Sequence, residues 1–302
     1  MSDARKLTVG SLFSGIGGLE LGLERTGGFE TVWQVEIDDY AARVLAKYWP
    51  EVRRWDDVRT FPPPAWVPCP ECDNYLCTWH GQHAHDCEES ECPDLETWDY
   101  EYGWNPYEQH HPLWHVDVIC GGDPCQQNSG ARAEGKCSQQ SLGDDFIRIV
   151  GLLRPQYVLR ENPSHIRRDA PWPWWRFRSE LESLGYVVLP FRLRACCFGA
   201  IHQRERLFLL ARDTNAYGER LEGWQEKTQG WITSEPAGRM DSEDWFSAHS
   251  TTGYGSRNDV PYLVDRLRCL GNAVVPAVAE FLGHMILEHY TAAREAAGGG
   301  DE

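Results

Sequence analysis

The run KLTVGSLF (6–13) reads as a short buried strand. It passes directly into SGIGGLELGLERTG, a glycine-rich turn that opens an apolar-periodic helix. This step constrains the fold most, because it recurs. TVWQVEID (31–38) is a second strand with acids at its end, and YAARVLAKYW (40–49) is a helix stopped by Pro50. VDVIC, QYVLREN, YVVLPFRLRACCFG and ERLFLLARD read as further strands, with DFIRIVGLLRP and WWRFRSELESLG as helices among them. A chain ordered this way predicts a doubly wound α/β sheet with its ligand loops at the carboxyl ends of the strands. At 302 residues it is long enough to bury a sizeable core.

Two segments break the alternation. Residues 62–115 open on three prolines and are rich in Cys, His, Trp and acids, as an insertion would be. Residues 213–262 are polar and aperiodic, as expected of a small loop-rich domain, and the chain closes on a helix over roughly 275–297. The formal net charge of −17 argues at first against a nucleic-acid partner. Its distribution reverses that. Residues 69–117 hold 12 acids and no Lys or Arg, whereas residues 144–212 hold 12 arginines against 7 acids. A negative lobe beside an Arg-rich body suits a polyanion on one face. No apolar leader opens MSDARKLTVG and no run reaches membrane-span length, so the expected setting is the cytoplasm. There the 11 cysteines are expected as thiols or metal ligands.

The carboxyl ends of the predicted strands carry the chemistry. LFSGIGG (12–18) lets backbone approach a ligand closely at a helix N-terminus, although such turns also serve packing alone. Glu36 ends the next strand, where a carboxylate can accept both hydroxyls of a ribose; NAD and S-adenosylmethionine fit this equally. In GGDPCQQNS, Gly121, Gly122 and Pro124 fix a tight exit, and Cys125 stands at its mouth, where a thiolate can act as a nucleophile. RENP places Glu161 and Asn162 at another strand end, at a level where a carboxyl can face that thiol. HQRERLFLLA puts Arg204 and Arg206 on one face of a strand start, suited to phosphate or to orienting a carboxylate.

Taken in order, FSGIGGLE, GGDPCQQNS, RENP, HQRERLFLLA and LRCLGNAVVP (267–276) resemble the motif series of the DNA (cytosine-5) methyltransferase family. The resemblance implies a Rossmann-like class I methyltransferase sheet with S-adenosyl-L-methionine as cofactor. On matching positions, Cys125 would add to C6 of a flipped cytosine and Glu161 would hold its N3/N4 edge and assist protonation at N3. Asn162 and Arg206 would position Glu161 and the base, with Arg204 near the nucleophile and the substrate backbone. Phe13, Gly15, Ile16 and Gly18 would form the cofactor loop, Glu36 would take the ribose, and Ile37 would lie against the adenine. Asp57 and Val58 would reach the adenine edge. Leu142, with Asn272, Ala273 and Val274, would close the methionine side. The implied division is a catalytic domain over 1–212 carrying the insertion, a target-recognition domain over 213–262, and a returning segment over 263–302. The implied partner is double-stranded DNA, bound by a monomer. RNA cytosine methylation, a DNA-binding relative without catalysis, and a restriction enzyme or a phage or host protein as companion stay open.

Two features depart from or add to that pattern. Asp123 stands where the family usually has an uncharged residue. Left charged and near, it would raise the thiol pKa; its carboxylate is therefore expected to point away, pair with an arginine or bear on substrate choice. The insertion adds CPECDNYLCTWHGQHAHDC (69–87), dense in zinc ligands. A structural zinc is expected on Cys69, Cys72, His83 and Cys87, with Cys77, His80 and Cys92 as replacements or a second site. His110, His111 and His115 read as loop and packing histidines.

Overall fold

The computed structural model describes residues 5–68, 75–78, 112–124, 142–163, 174–200, 203–214 and 273–298. Seven of its strands form one sheet. They are β1 (Leu7–Leu12), β2 (Phe29–Val35), β3 (Arg53–Trp55), β6 (Val118–Gly121), β7 (Tyr157–Pro163), β8 (Tyr186–Arg194) and β9 (Glu205–Asp213), in the order β3-β2-β1-β6-β7-β9-β8. β9 runs antiparallel between β7 and β8, and the first five pair in parallel. The strand order reverses between β1 and β6, so their carboxyl ends open a crevice at the switch point. A two-stranded hairpin, β4 (Trp66–Pro68) with β5 (Tyr75–Cys77), belongs to the insertion.

Central strands buried on both faces must be apolar throughout, and these are: the burial pattern of β6 is unbroken over VICG. The helices are α1 (Gly18–Arg25), α2 (Asp39–Tyr48), α3 (Leu142–Leu153), α4 (Trp174–Ser183) and α5 (Pro276–Gly298). Phe146, Ile149, Phe177 and Leu181 of α3 and α4 share one core layer with Leu12, Ile119 and Val158. Leu19 and Leu23 of α1 share the other with Leu282 and Ile286 of α5, Val118 and Leu159. α1 and α5 meet at backbone distance, because a Cβ on Gly22 would lie 2.3 Å from the Pro276 carbonyl. α5 is also tied to the sheet. His289 pairs through Nδ1 with the Tyr157 hydroxyl at 2.8 Å, and Arg212 Nη1 lies 2.9 Å from its Nε2. Burial holds His289 down at about 4, and the Arg212 charge adds to this, so the ring is neutral at pH 7.

The structure departs from the sequence reading at element ends. β8 stops at Arg194, and ACCF coils into a 3-10 turn closed by Gly199 at φ 82°. Pro190 sits inside β8, which is tolerated because β8 is the sheet edge. β3 and the hairpin, of three residues each, carry too little periodicity to be read in advance. The insertion leaves and rejoins the sheet at one aromatic cluster. Phe61 packs 4.7 Å from Trp33 and 5.1 Å from Trp114 by ring centroid, and Trp33 Nε1 donates to the Trp114 carbonyl at 2.9 Å.

Candidate active site

Three strand ends converge at the switch point. At the end of β1 the chain turns through left-handed backbone at Phe13 (φ 55°), Gly15 (φ 57°) and Gly17 (φ 84°). For Phe13 that conformation costs about 1–2 kcal/mol, and its ring stacks 6.4 Å from Phe146. The turn aims the Gly15 N–H at Glu36 Oε2, 2.7 Å away, while Asp38 N donates to Oε1 at 2.8 Å. Burial raises the Glu36 pKa, and these two backbone donors oppose the rise. Each oxygen keeps a lone pair for a further donor.

Ile37, next to it, is 66 % exposed, an apolar side chain with open space beside a carboxylate. A Cβ on Gly15 would meet nothing within 4 Å, and one on Gly18 would lie 2.5 Å from the Val274 carbonyl. The loop is therefore open on one side and closed on the other by the segment before α5. This donor set fits an adenosine-type cofactor. Glu36 can take the ribose hydroxyls, and Ile37 offers an apolar face.

The other cofactor positions divide. Ile16 is half-buried in the same turn, Leu142 begins α3 against the core, and Ala273 and Val274 lead into α5. Val58 is buried in the core, and its carbonyl accepts from Arg148 Nη2 at 2.9 Å. The Asp57 carboxylate takes the Arg59 side chain at 2.6–3.0 Å and is held below its usual pKa, chiefly by that hydrogen-bonding partner. Asn272 lies outside the described residues.

β6 ends at Gly121 and continues into Gly122, Asp123 and Pro124; Cys125 lies outside the described residues. Glu161, near the end of β7, places Oε2 where a Cβ on Gly122 would come within 2.9 Å, so a side chain there would displace the carboxyl from its present position. Arg206 Nε lies 2.8 Å from Glu161 Oε1, an ion pair without hydrogen-bond alignment. Burial pushes Glu161 up to about 6, against the pull of Arg206 and Arg204. Burial and the neighbouring Arg206 together lower the Arg204 pKa. Both arginines line a crevice with Leu193, Ala195, Val274 and Val275.

Alternation along β7 sends Arg160 and Asn162 to the face opposite Glu161. Both reach Asp123. Arg160 Nε and Nη2 donate to its two oxygens at 2.6 and 2.8 Å, and Asn162 Nδ2 donates to Oδ1 at 2.8 Å. Asp123 therefore pairs with an arginine, the second of the three expected arrangements. The Asn162 amide serves this carboxylate, whereas Arg206 serves Glu161. Which arginine takes Asp123 escaped the sequence reading, although an arginine inside a buried strand is itself a signal, since such a charge requires a partner.

The insertion provides no metal site among the described residues: no group of three or more His, Cys, Asp or Glu is placed to hold an ion. Cys69, Cys72, His80, His83, Cys87 and Cys92 lie outside them, as do His110 and His111. Cys77 is described, buried on β5 and outside any disulfide. The zinc expectation thus draws no support from the described structure. His115 Nδ1 lies 3.0 Å from the Leu153 carbonyl, a packing contact.

The family model for C-5 cytosine-specific DNA methylase matches residues 7–63 and 105–254. The chain belongs to this family. The gap in the match falls inside the insertion, so the cytosine methylase core is what the sheet and its crevice represent. Among relatives, the Type II methyltransferase M.Bsp6I of Bacillus sp. (strain RFL6) is 27 % identical over 209 residues, 68 % of this chain and 51 % of that protein. M.Eco47II of Escherichia coli is 27 % identical over 208 residues, 68 % and 39 % respectively. The chain thus spans about half the length of the first and less of the second. The S. pombe Dnmt2 methyltransferase structure aligns with a TM-score of 0.45 at 15 % identity, over 76 % of this chain and 56 % of that one. No helix among the described residues is long and apolar enough to cross a membrane.

Proposed function

We propose that the chain methylates C5 of cytosine in double-stranded DNA, with Cys125 as the nucleophile and Glu161 as the acid that activates the base. The observation that carries this reading is Glu161 itself. A buried carboxyl raised to about 6 is held by Arg206 and packed on Gly122, which precedes Cys125 by three residues in the sequence. Such a group can carry a proton near neutral pH and give it to a ring nitrogen.

Cytosine C5 is a poor nucleophile. The Cys125 thiolate adds to C6 while Glu161 gives its proton to N3, so the electron pair of the C5=C6 bond becomes available at C5. Glu36 and the Gly15 turn would hold S-adenosyl-L-methionine, which would supply an electrophilic methyl group for C5 and leave as the neutral thioether. A base then takes the C5 proton, the C5=C6 bond re-forms, the thiolate leaves C6, and N3 returns its proton to Glu161. Arg206 keeps Glu161 oriented, and Arg204, next to it, offers a cation for the substrate backbone. The base must leave the stack for Cys125 to reach its edge.

Residues 213–262 serve target recognition in this reading. A structural zinc in the insertion rests on ligand spacing alone, and near-stoichiometric zinc in the purified chain is its check. The Type II names of the two bacterial relatives favour a role in a restriction-modification pair. Incubation with labelled methyl donor and either duplex DNA or RNA, wild type against Cys125→Ala, tests the whole. Label is expected in DNA and is expected to vanish in the variant. Transfer that survives Cys125→Ala removes the nucleophile assignment, and transfer to RNA alone replaces DNA as the substrate.

A further inference from the structure

Asp123 stands two residues before Cys125 in sequence, and its charge has a definite destination. The side chains of Asp123 and Arg160 are 3 % and 1 % exposed. The guanidinium carbon lies 3.9 Å from the centroid of the Phe177 ring, so α4 backs the pair. Asn162 adds a third donor to the same carboxylate. β7 thus grips the exit of β6 with Arg160 and Asn162, while the intervening Glu161 lies against Gly122 on the other face. One three-residue stretch holds both the acid and the root of the nucleophile loop.

We propose that Asp123, Arg160 and Asn162 form a positioning unit for the nucleophile, one that fixes the loop root to the strand bearing Glu161 and neutralises the carboxylate two residues before Cys125 in the sequence. It rests on the function proposed above. The unit accounts for an acid so close to a nucleophilic cysteine. Unpaired, Asp123 would oppose the thiolate; with its charge matched by Arg160 it anchors without doing so. Buried pairs are costly to break by removing one partner and cheap to replace as a whole, and this asymmetry makes the unit testable. Among the described residues, the charged groups beside Gly122 and Glu161 other than Asp123 and Arg160 are Arg204 and Arg206, and the test leaves these and Glu161 unchanged.

The experiment compares wild type with Arg160→Lys, Arg160→Gln and the double variant Asp123→Asn with Arg160→Gln. Two readouts are taken: the pH profile of Cys125 alkylation, and methyl transfer split into kcat and KM for the methyl donor. In Arg160→Gln the alkylation midpoint is expected to rise by about one pH unit, a roughly tenfold smaller thiolate fraction near neutrality. kcat falls with it, and KM for the donor stays within about twofold. Adding Asp123→Asn is expected to restore most of both, because a neutral amide pair removes the unpaired charge, and Arg160→Lys should lie nearest wild type. An unmoved alkylation profile in a folded Arg160→Gln, or a double variant no better than the single, overturns the proposal. Should Arg160→Gln not fold, a double variant alkylating unlike wild type overturns it equally. Alkylation does not require turnover. A wild type without methyl transfer therefore contradicts the proposed function while leaving this comparison readable.

Discussion

Glu161 and Glu20 are two buried carboxyls with opposite prospects. Glu161 lies against Gly122 and is paired with Arg206, and in the proposed function its raised pKa serves proton transfer. Glu161→Gln keeps the shape but cannot give a proton to N3. Methyl transfer is expected to fall by about 10²–10⁴-fold with donor binding preserved, and a loss under tenfold would contradict the role. Glu20 lies in α1, 0 % exposed, with Gln34 Nε2 at 3.4 Å from one oxygen and the Ser11 and Ser14 hydroxyls only partly offsetting its burial. Burial pushes it up to about 7 from an ordinary 4.5. A carboxyl raised on folding contributes stability at low pH that is lost as pH climbs from its unfolded value through its folded one. Between about pH 4.5 and 7.5 Glu20 should therefore withdraw on the order of 3 kcal/mol. Glu20→Gln is expected to flatten that decline; thermal midpoints of wild type and variant that run parallel from pH 5 to 8 would contradict it.

The sheet separates stability from chemistry by strand end. At the amino ends Asp117 joins β1, β6 and β7. It accepts from Thr8 N at 2.8 Å, Thr8 Oγ1 at 2.9 Å, Gln156 Nε2 at 3.0 Å and Arg5 Nη2 at 2.6 Å. Asp117→Ala strands these donors and should lower stability by about 3 kcal/mol, read by urea unfolding, while leaving Cys125 alkylation unchanged. At the carboxyl ends lie the glycine turn, the Gly122 exit and Glu161. That division was legible in the sequence, because strand-then-glycine and strand-then-acid are local patterns. Glu36 and Glu161 stood out because a charge at the end of an apolar run is conspicuous. Asp123 was conspicuous too, but its partner was not, since Arg160 lies 37 positions away and only the register of β6 against β7 brings them together. Phe13 in left-handed backbone was hidden for a related reason, as nothing in LFSG marks an aromatic for that conformation.

Across the whole molecule, the acidic insertion and the Arg-rich body are separate additions to one plan. The insertion begins and ends at the Phe61–Trp114 contact, so the family core can close beneath it, and the family model resumes at residue 105. The carboxyl ends of β1, β6 and β7 bring the glycine turn, Gly122 and Glu161 to one edge of the sheet, with Arg206 of β9 paired to Glu161. In the function proposed above, this arrangement serves attack of the Cys125 thiol on the base. The most direct measurement is the intact mass of the protein after incubation with methyl donor and a duplex carrying 5-fluorocytosine. Fluorine at C5 cannot leave as a proton, so the thiol cannot be expelled from C6. The expected product is a covalent protein–DNA conjugate that carries one transferred methyl group, heavier than protein plus duplex by CH2 because the thiol proton is lost, and absent in Cys125→Ser. Methyl transfer to ordinary cytosine with no conjugate on the fluorinated duplex would contradict it.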